Sequence, residues 1–114
     1  MPVIIVYGIR EGEELDIPEL RKKLRENIAN IEELKLSENQ ISCIFPAEYA
    51  RPPFLFEKIV FVRGLFARAE RTPEVRSMMA RAIVAVIKQF SPNDFVECFV
   101  EPFNMEEGFA SSEV

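Results

Sequence analysis

The chain has 114 residues, a net charge of −5, two Cys, ten Phe, and neither His nor Trp. That length is one domain's worth, and with 48% hydrophobic residues it can bury a core. The acidic balance excludes a basic nucleic-acid-binding surface, and the lack of His, with no cysteine cluster, removes the usual metal ligands.

Val3-Ile-Ile-Val-Tyr7 is a β-branched apolar run and reads as a buried strand. Gly8 to Glu14 reads as a polar connection. Asp16 is a helix N-cap, with Pro18 and Glu19 in the first turn. Ile17, Leu20, Leu24, Ile28 and Ile31 recur at helical spacing, so the periodicity predicts an amphipathic helix over 17–32. Its other face carries Arg21, Lys22, Lys23, Arg25 and Glu26, a solvated charge run.

Ser37-Glu-Asn39 predicts a turn, and Ile41 to Phe45 a second strand, stopped by Pro46. Arg51-Pro-Pro53 breaks regular structure. Lys58 to Leu65 reads as a third strand ending near Gly64. Thr72-Pro73-Glu74 combines an N-cap, a proline at the first helical position and an acid, a strong helix start. Val75, Met78, Met79, Ala82, Ile83, Val86 and Phe90 give that helix a broad apolar face. Ser91-Pro92-Asn-Asp94 ends it. Phe95 to Val100 is a fourth strand, stopped by Pro102. Cys43 and Cys98 fall in strands, where buried reduced thiols are expected.

The order is β-α-β twice, and a faint internal repeat accompanies it. Ile5-Val6 align with Ile59-Val60, Leu24 with Met78, Ser37 and Asn39 with Ser91 and Asn93, and Phe45 with Phe99. The expectation is one α+β domain over 1–114, with pseudo-repeats at about 1–48 and 56–103 and a tail from 104 to 114. Right-handed crossovers would place both helices on one face of a four-stranded mixed sheet. The other face then needs a partner, which predicts a homo-oligomer. No basic leader or span-length apolar segment appears, so a cytoplasmic protein without membrane attachment is expected.

Four local patterns resemble the tautomerase superfamily, which includes 4-oxalocrotonate tautomerase, macrophage migration inhibitory factor and cis-3-chloroacrylic acid dehalogenase. The start Met1-Pro2-Val-Ile-Ile-Val-Tyr7 is similar to the family's N-terminus. Val62-Arg-Gly-Leu65 with Arg68-Ala-Glu-Arg71 looks like the strand end and paired arginines of the dehalogenase group. Lys35, in its spacing before Pro46, matches an active-site lysine of the migration-inhibitory-factor group. Ser91-Pro92 and Gly108-Phe109-Ala-Ser-Ser112 resemble that group too. The resemblance implies a tautomerase-like fold, removal of Met1, a homotrimer with interface sites, and no cofactor.

It also implies that Pro2 is the catalytic group. A free N-terminal proline is a secondary amine, able to give or take a proton. Burial in a strand and nearby cations both favour its neutral, basic form. Arg68 and Arg71 would hold a carboxylate or developing enolate, with Lys35 beside them. Glu106 lies near the position of a dehalogenase-group glutamate. Arg63, inside a strand, needs a carboxylate or a pore lining and has no assigned role.

The departures bear on the activity. The dehalogenase group's His is missing, and its fourth-strand Tyr falls at Cys98. The migration-inhibitory-factor group's Tyr and Asn fall at Val96 and Cys98. The strand-two arginine of the 4-oxalocrotonate group falls at Ser42. The expected function is a proton shift in a small anionic oxo acid or enol. The rivals are a non-catalytic trimeric scaffold, and a decarboxylase, hydratase or dehalogenase using the same site.

Overall fold

The computed structural model describes residues 1–48 and 56–112. The breaker Arg51-Pro-Pro53 lies outside the described residues. Six strands and two helices follow in chain order: β1 (Val3–Tyr7), β2 (Ile9–Arg10), α1 (Ile17–Ala29), β3 (Ser42–Ile44), β4 (Ala47–Glu48), β5 (Glu57–Phe66), α2 (Pro73–Phe90) and β6 (Phe95–Phe103). The main sheet has the order β3-β1-β5-β6. Its outer pairs, β1 with β3 and β5 with β6, are parallel, and its central pair is antiparallel. Each half is thus a β-α-β unit, and together they form the expected four-stranded mixed sheet with two helices.

The helix starts follow the sequence. The Glu19 N–H donates to Asp16 Oδ1 at 3.1 Å, and the Val75 N–H to Thr72 Oγ1 at 3.3 Å. Elsewhere the elements depart from the sequence reading, and the second strand is shortened to Ser42–Ile44. Helix α1 stops at Ala29, and a 3-10 turn, Glu32–Leu34, follows. Ile31 and Leu34 stay buried within that turn, which is why the apolar periodicity runs past the helix. Ser37-Glu-Asn39 leads into a second 3-10 turn, Glu38–Gln40, with the Ser37 N–H donating to Gln40 Oε1 at 3.0 Å. The polar connection after β1 contains β2, which pairs in parallel with β4. Strand β6 runs through Pro102 to Phe103 rather than stopping. It is an edge strand, where a missing N–H can be tolerated.

Side chains alternate across the sheet. Ile4, Val6, Cys43, Val60, Val62 and Leu65 face the helices and are buried. Leu20, Leu24 and Ile28 of α1, with Val75, Met79, Ile83, Val86 and Ile87 of α2, close the core over them. Met78, expected on the apolar face of α2, is 40% exposed instead. The opposite sheet face carries Tyr7, Phe61 and Phe99. Phe61 stacks on Phe99 at 5.4 Å and meets Tyr7 edge-on at 6.0 Å. Tyr7 and Phe99 are exposed there. Gly8, at φ +106°, brings β1 into β2 so closely that a Cβ would lie 2.2 Å from the Glu57 carbonyl oxygen, so only glycine fits.

At the sheet end away from the chain's start, Lys58 is fully buried. Its Nζ donates to both Glu13 carboxylate oxygens, at 3.2 and 3.0 Å, and to Asp94. Arg10 reaches Asp94 Oδ2 at 3.3 Å and Glu13 Oε2 at 3.5 Å. Two cations and two carboxylates thereby neutralise one another and tie the start of β5 to the loops before α1 and β6. Removing one partner of such a cluster leaves a buried charge uncompensated. Asp94→Asn is therefore expected to lower the unfolding free energy by about 3 kcal/mol, measured by urea titration. A loss below about 1 kcal/mol, typical of exposed pairs, would show that the cluster is not holding a buried charge.

Both cysteines are free. Burial raises the Cys43 thiol from the ordinary 9.0 to about 11, with Arg21 and Arg25 opposing, and raises the Cys98 thiol to about 12. The native chain therefore holds these protons more tightly than the unfolded chain. That contribution is intact below pH 9.0 and is lost as the pH rises through about 11 and 12. The denaturant midpoint should fall more steeply with pH above 9.0 in the wild type than in a Cys43→Ala/Cys98→Ala variant. Equal slopes would show that the thiols do not contribute.

Candidate active site

The antiparallel register pairs Val3 with Arg63, which brings the chain's start against the end of β5. There β5 is irregular, with its register to β6 shifting between Val62 and Leu65. Gly64 makes that bulge at φ +72°, and a Cβ on it would stand 3.3 Å from the Met1 carbonyl oxygen. On the other side, the Ser42 N–H donates to the Pro2 carbonyl at 3.1 Å. Pro2 is thus clasped between β3 and β5 and buried, while Met1 is 60% exposed. With Met1 attached, the Pro2 nitrogen is an amide without a basic lone pair.

Pro2 lies on the wall of a cleft of about 400 Å3, shared with Lys35, Arg68 and Arg71. These are four of the five site residues singled out from sequence, and they come from three separate segments. Glu106 is not among the lining residues; it is exposed in a turn where its N–H donates to Asn104 Oδ1 at 3.1 Å.

The three cations differ in how they are held. Arg71 is only 4% exposed. Its Nε and Nη2 donate to the Leu34 carbonyl at 3.0 and 2.7 Å, and its Nη1 to the Phe66 carbonyl at 2.7 Å. One N–H on each terminal nitrogen remains. Burial and the neighbouring Arg68 charge lower the Arg71 pKa, and Glu70 opposes them. Arg68 is exposed, and no ion pair holds its side chain among the described residues. Lys35 sits in the left-handed region at φ 53°, ψ 49°, with its Nζ 3.9 Å from Glu70 Oε1. The cleft thus has a net positive lining, in which Arg68 is an exposed cation without an ion pair among the described residues.

A second cleft of about 330 Å3 adjoins the first, and both are lined by Met1, Gly64, Phe66 and Phe109. It is mostly apolar, with Val62 and Phe103 in its wall. Arg63 and Glu101 stand at its edge and pair at 3.3 Å, so Arg63 has found the carboxylate its strand position required. The guanidinium also lies over the Phe61 ring, 4.9 Å from its centroid. Sequence reasoning missed Glu101, Phe66 and Phe109 as site neighbours. The period-2 alternation of β5 and β6 places Arg63 and Glu101 on one face, but the bulge at Gly64 sets their pairing and has no sequence signature beyond the glycine. The tail bends back at Gly108, and Phe109 meets Phe66 edge-on at 4.8 Å.

Among the described residues, no group of three or more His, Cys, Asp or Glu could hold a metal ion, and no helix is long and apolar enough to cross a membrane.

No protein-family model and no curated protein matches the chain. Solved structures do. A fused 4-OT wild-type symmetric trimer matches with TM-score 0.72 at 14% identity, over 96% of this chain and 92% of that one. A DUF1904 domain of unknown function from Sebaldella termitidis matches with TM-score 0.70 at 15% identity, over 100% and 98%. Pt0534, solved after inactivation by 2-oxo-3-pentynoate, matches with TM-score 0.59 at 13% identity, over 97% and 92%. These identities speak for the fold alone. The chain shares its fold with these structures, as the resemblance to the tautomerase superfamily led us to expect.

Proposed function

We propose that the chain, once Met1 is removed, is a cofactor-independent tautomerase acting on a small anionic oxo acid or enol, with the Pro2 amine as the proton-transfer group. The observation that carries this reading is the cleft that gathers buried Pro2 with Lys35, Arg68 and Arg71. Arg68 and Lys35 hold the substrate carboxylate, and Arg71 adds its charge to the same field. Burial and these cations favour the neutral amine. The amine takes a proton from the carbon beside the carbonyl, becomes ammonium, and returns the proton at another position of the delocalised enolate. The inactivation of Pt0534 by a 2-oxo acid is in keeping with this substrate class.

The assembly proposed is a homotrimer, with the aromatic sheet face around Phe61 and Phe99 covered by neighbouring subunits. The fused 4-OT structure is itself a trimer. A hydratase or dehalogenase reading has less support, because Glu106, its candidate water-activating carboxylate, lies away from the cleft. A scaffold without chemistry is the reading that fits a chain keeping Met1, since Pro2 is then acylated.

Ketonisation of phenylenolpyruvate separates these. Met1-free protein, verified by intact mass, should accelerate it, and Pro2→Ala should lower kcat/KM by about 10²–10⁴-fold, the usual worth of a positioned acid or base. Equal rates in the two proteins would remove Pro2 from the mechanism. Light scattering should give the mass of three chains, and a monomer would overturn the proposed assembly.

A further inference from the structure

We infer that Arg71 is a positioning residue rather than a substrate ligand: its grip on the Leu34 carbonyl holds Lys35 in the left-handed conformation from which it lines the Pro2 cleft. The inference rests on reading that cleft as an anion-binding active site. Leu34 ends the 3-10 turn after α1, and Lys35 is the described non-glycine residue with positive φ. A left-handed lysine carries a steric cost that glycine or asparagine would mostly avoid. Something must therefore over-determine it.

The peptide joining Leu34 to Lys35 is planar. Fixing the direction of the Leu34 carbonyl fixes the Lys35 N–H, which points the opposite way in the same plane. Arg71 fixes it with two donors, Nε at 3.0 Å and Nη2 at 2.7 Å, while the Lys35 N–H returns to the Glu32 carbonyl at 3.0 Å. A single donor would leave the carbonyl free to swing; two donors of one rigid guanidinium do not.

The third donor, Nη1 to the Phe66 carbonyl, anchors the same guanidinium to the end of β5, beside the Gly64 bulge. The Arg71 backbone is held in turn: its N–H donates to the Arg68 carbonyl at 3.1 Å, and its carbonyl accepts from Arg76 Nη1 at 2.8 Å. One buried side chain thus ties the Lys35 wall of the cleft to the Pro2 wall. The Lys35–Glu70 pair, at 3.9 Å and exposed on the lysine side, is too loose to set that backbone.

The test is a double-mutant cycle in Met1-free protein. Lys35→Met is expected to raise KM for phenylenolpyruvate about 10-fold with kcat little changed, the mark of lost binding. Arg71→Lys, which keeps the charge but loses the two-donor grip, should raise KM by a similar factor, and the double variant should be no worse than either single one. Multiplying effects, about 100-fold in the double variant, would show that Arg71 contacts substrate independently and would overturn the inference. A second arm needs no turnover. Backbone NMR of Arg71→Lys, with circular dichroism confirming the fold, should show Lys35 leaving positive φ, and Arg68→Met should leave it in place. Lys35 unmoved in Arg71→Lys overturns the inference. An inactive wild type with Lys35 displaced in Arg71→Lys would overturn the proposed chemistry and leave the positioning role standing.

Discussion

The antiparallel register of β1 on β5 is the constraint on which the site depends. Because Val3 faces Arg63, the residue before β1 has one place to go: against the bulge at Gly64. Ser42 then closes the other side by its bond to the Pro2 carbonyl. A shift of one residue would exchange the two faces of β1, sending Ile4 and Val6 out of the core. The hydrophobic core therefore fixes the position of the chain's start. The burial of Pro2 follows from the burial of Ile4, and the Ser42 bond completes it.

Two clusters of charge occupy opposite ends of this sheet, and their different bonding separates structure from candidate chemistry. At one end, Lys58 and Arg10 meet Glu13 and Asp94, and cation and anion numbers match. Such a cluster is closed: it offers a ligand no charge that is not already paired. At the other end, Arg71 is bonded to neutral carbonyls, which take its hydrogen bonds without cancelling its charge, and Arg68 has no acidic partner among the described residues. Glu70 is the local counterweight, through Lys35. The field left over is positive. An anion entering the Pro2 cleft meets charge that the fold has not used up, which no anion would find near Lys58.

Much of the fold was readable because the sequence is locally consistent. Asp16 and Thr72 are caps in both sequence and structure, and the β-branched run Val3–Tyr7 is one of the two central strands. The errors arose where two signals overlap. Ile31 continues the helical period of α1 but caps a 3-10 turn, which buries Leu34 three residues on. Pro102 reads as a stop only for a strand paired on both sides. The short β2–β4 ribbon lies among polar residues, where periodicity gives no signal. Of the site, Pro2, Lys35, Arg68 and Arg71 came from local patterns, and their convergence needed the register. The left-handed backbone at Lys35 and the pairing of Arg63 with Glu101 were not legible. Both depend on contacts between residues far apart in the chain, Leu34 with Arg71 and β5 with β6 across a bulge.

The uncovered sheet face and the cleft are joined by geometry. Arg63 and Glu101 stand both on that face and at the mouth of the apolar cleft beside Met1. Phe61, which lies under the Arg63 guanidinium, is the centre of the aromatic row running from Tyr7 to Phe99. A subunit laid over the rings would also cover the Arg63–Glu101 pair and wall in the apolar cleft, lowering the local dielectric around whatever it holds. The same contact that buries the rings would then strengthen the electrostatics at Pro2. The proposed assembly and the proposed chemistry would then use one surface from its two sides.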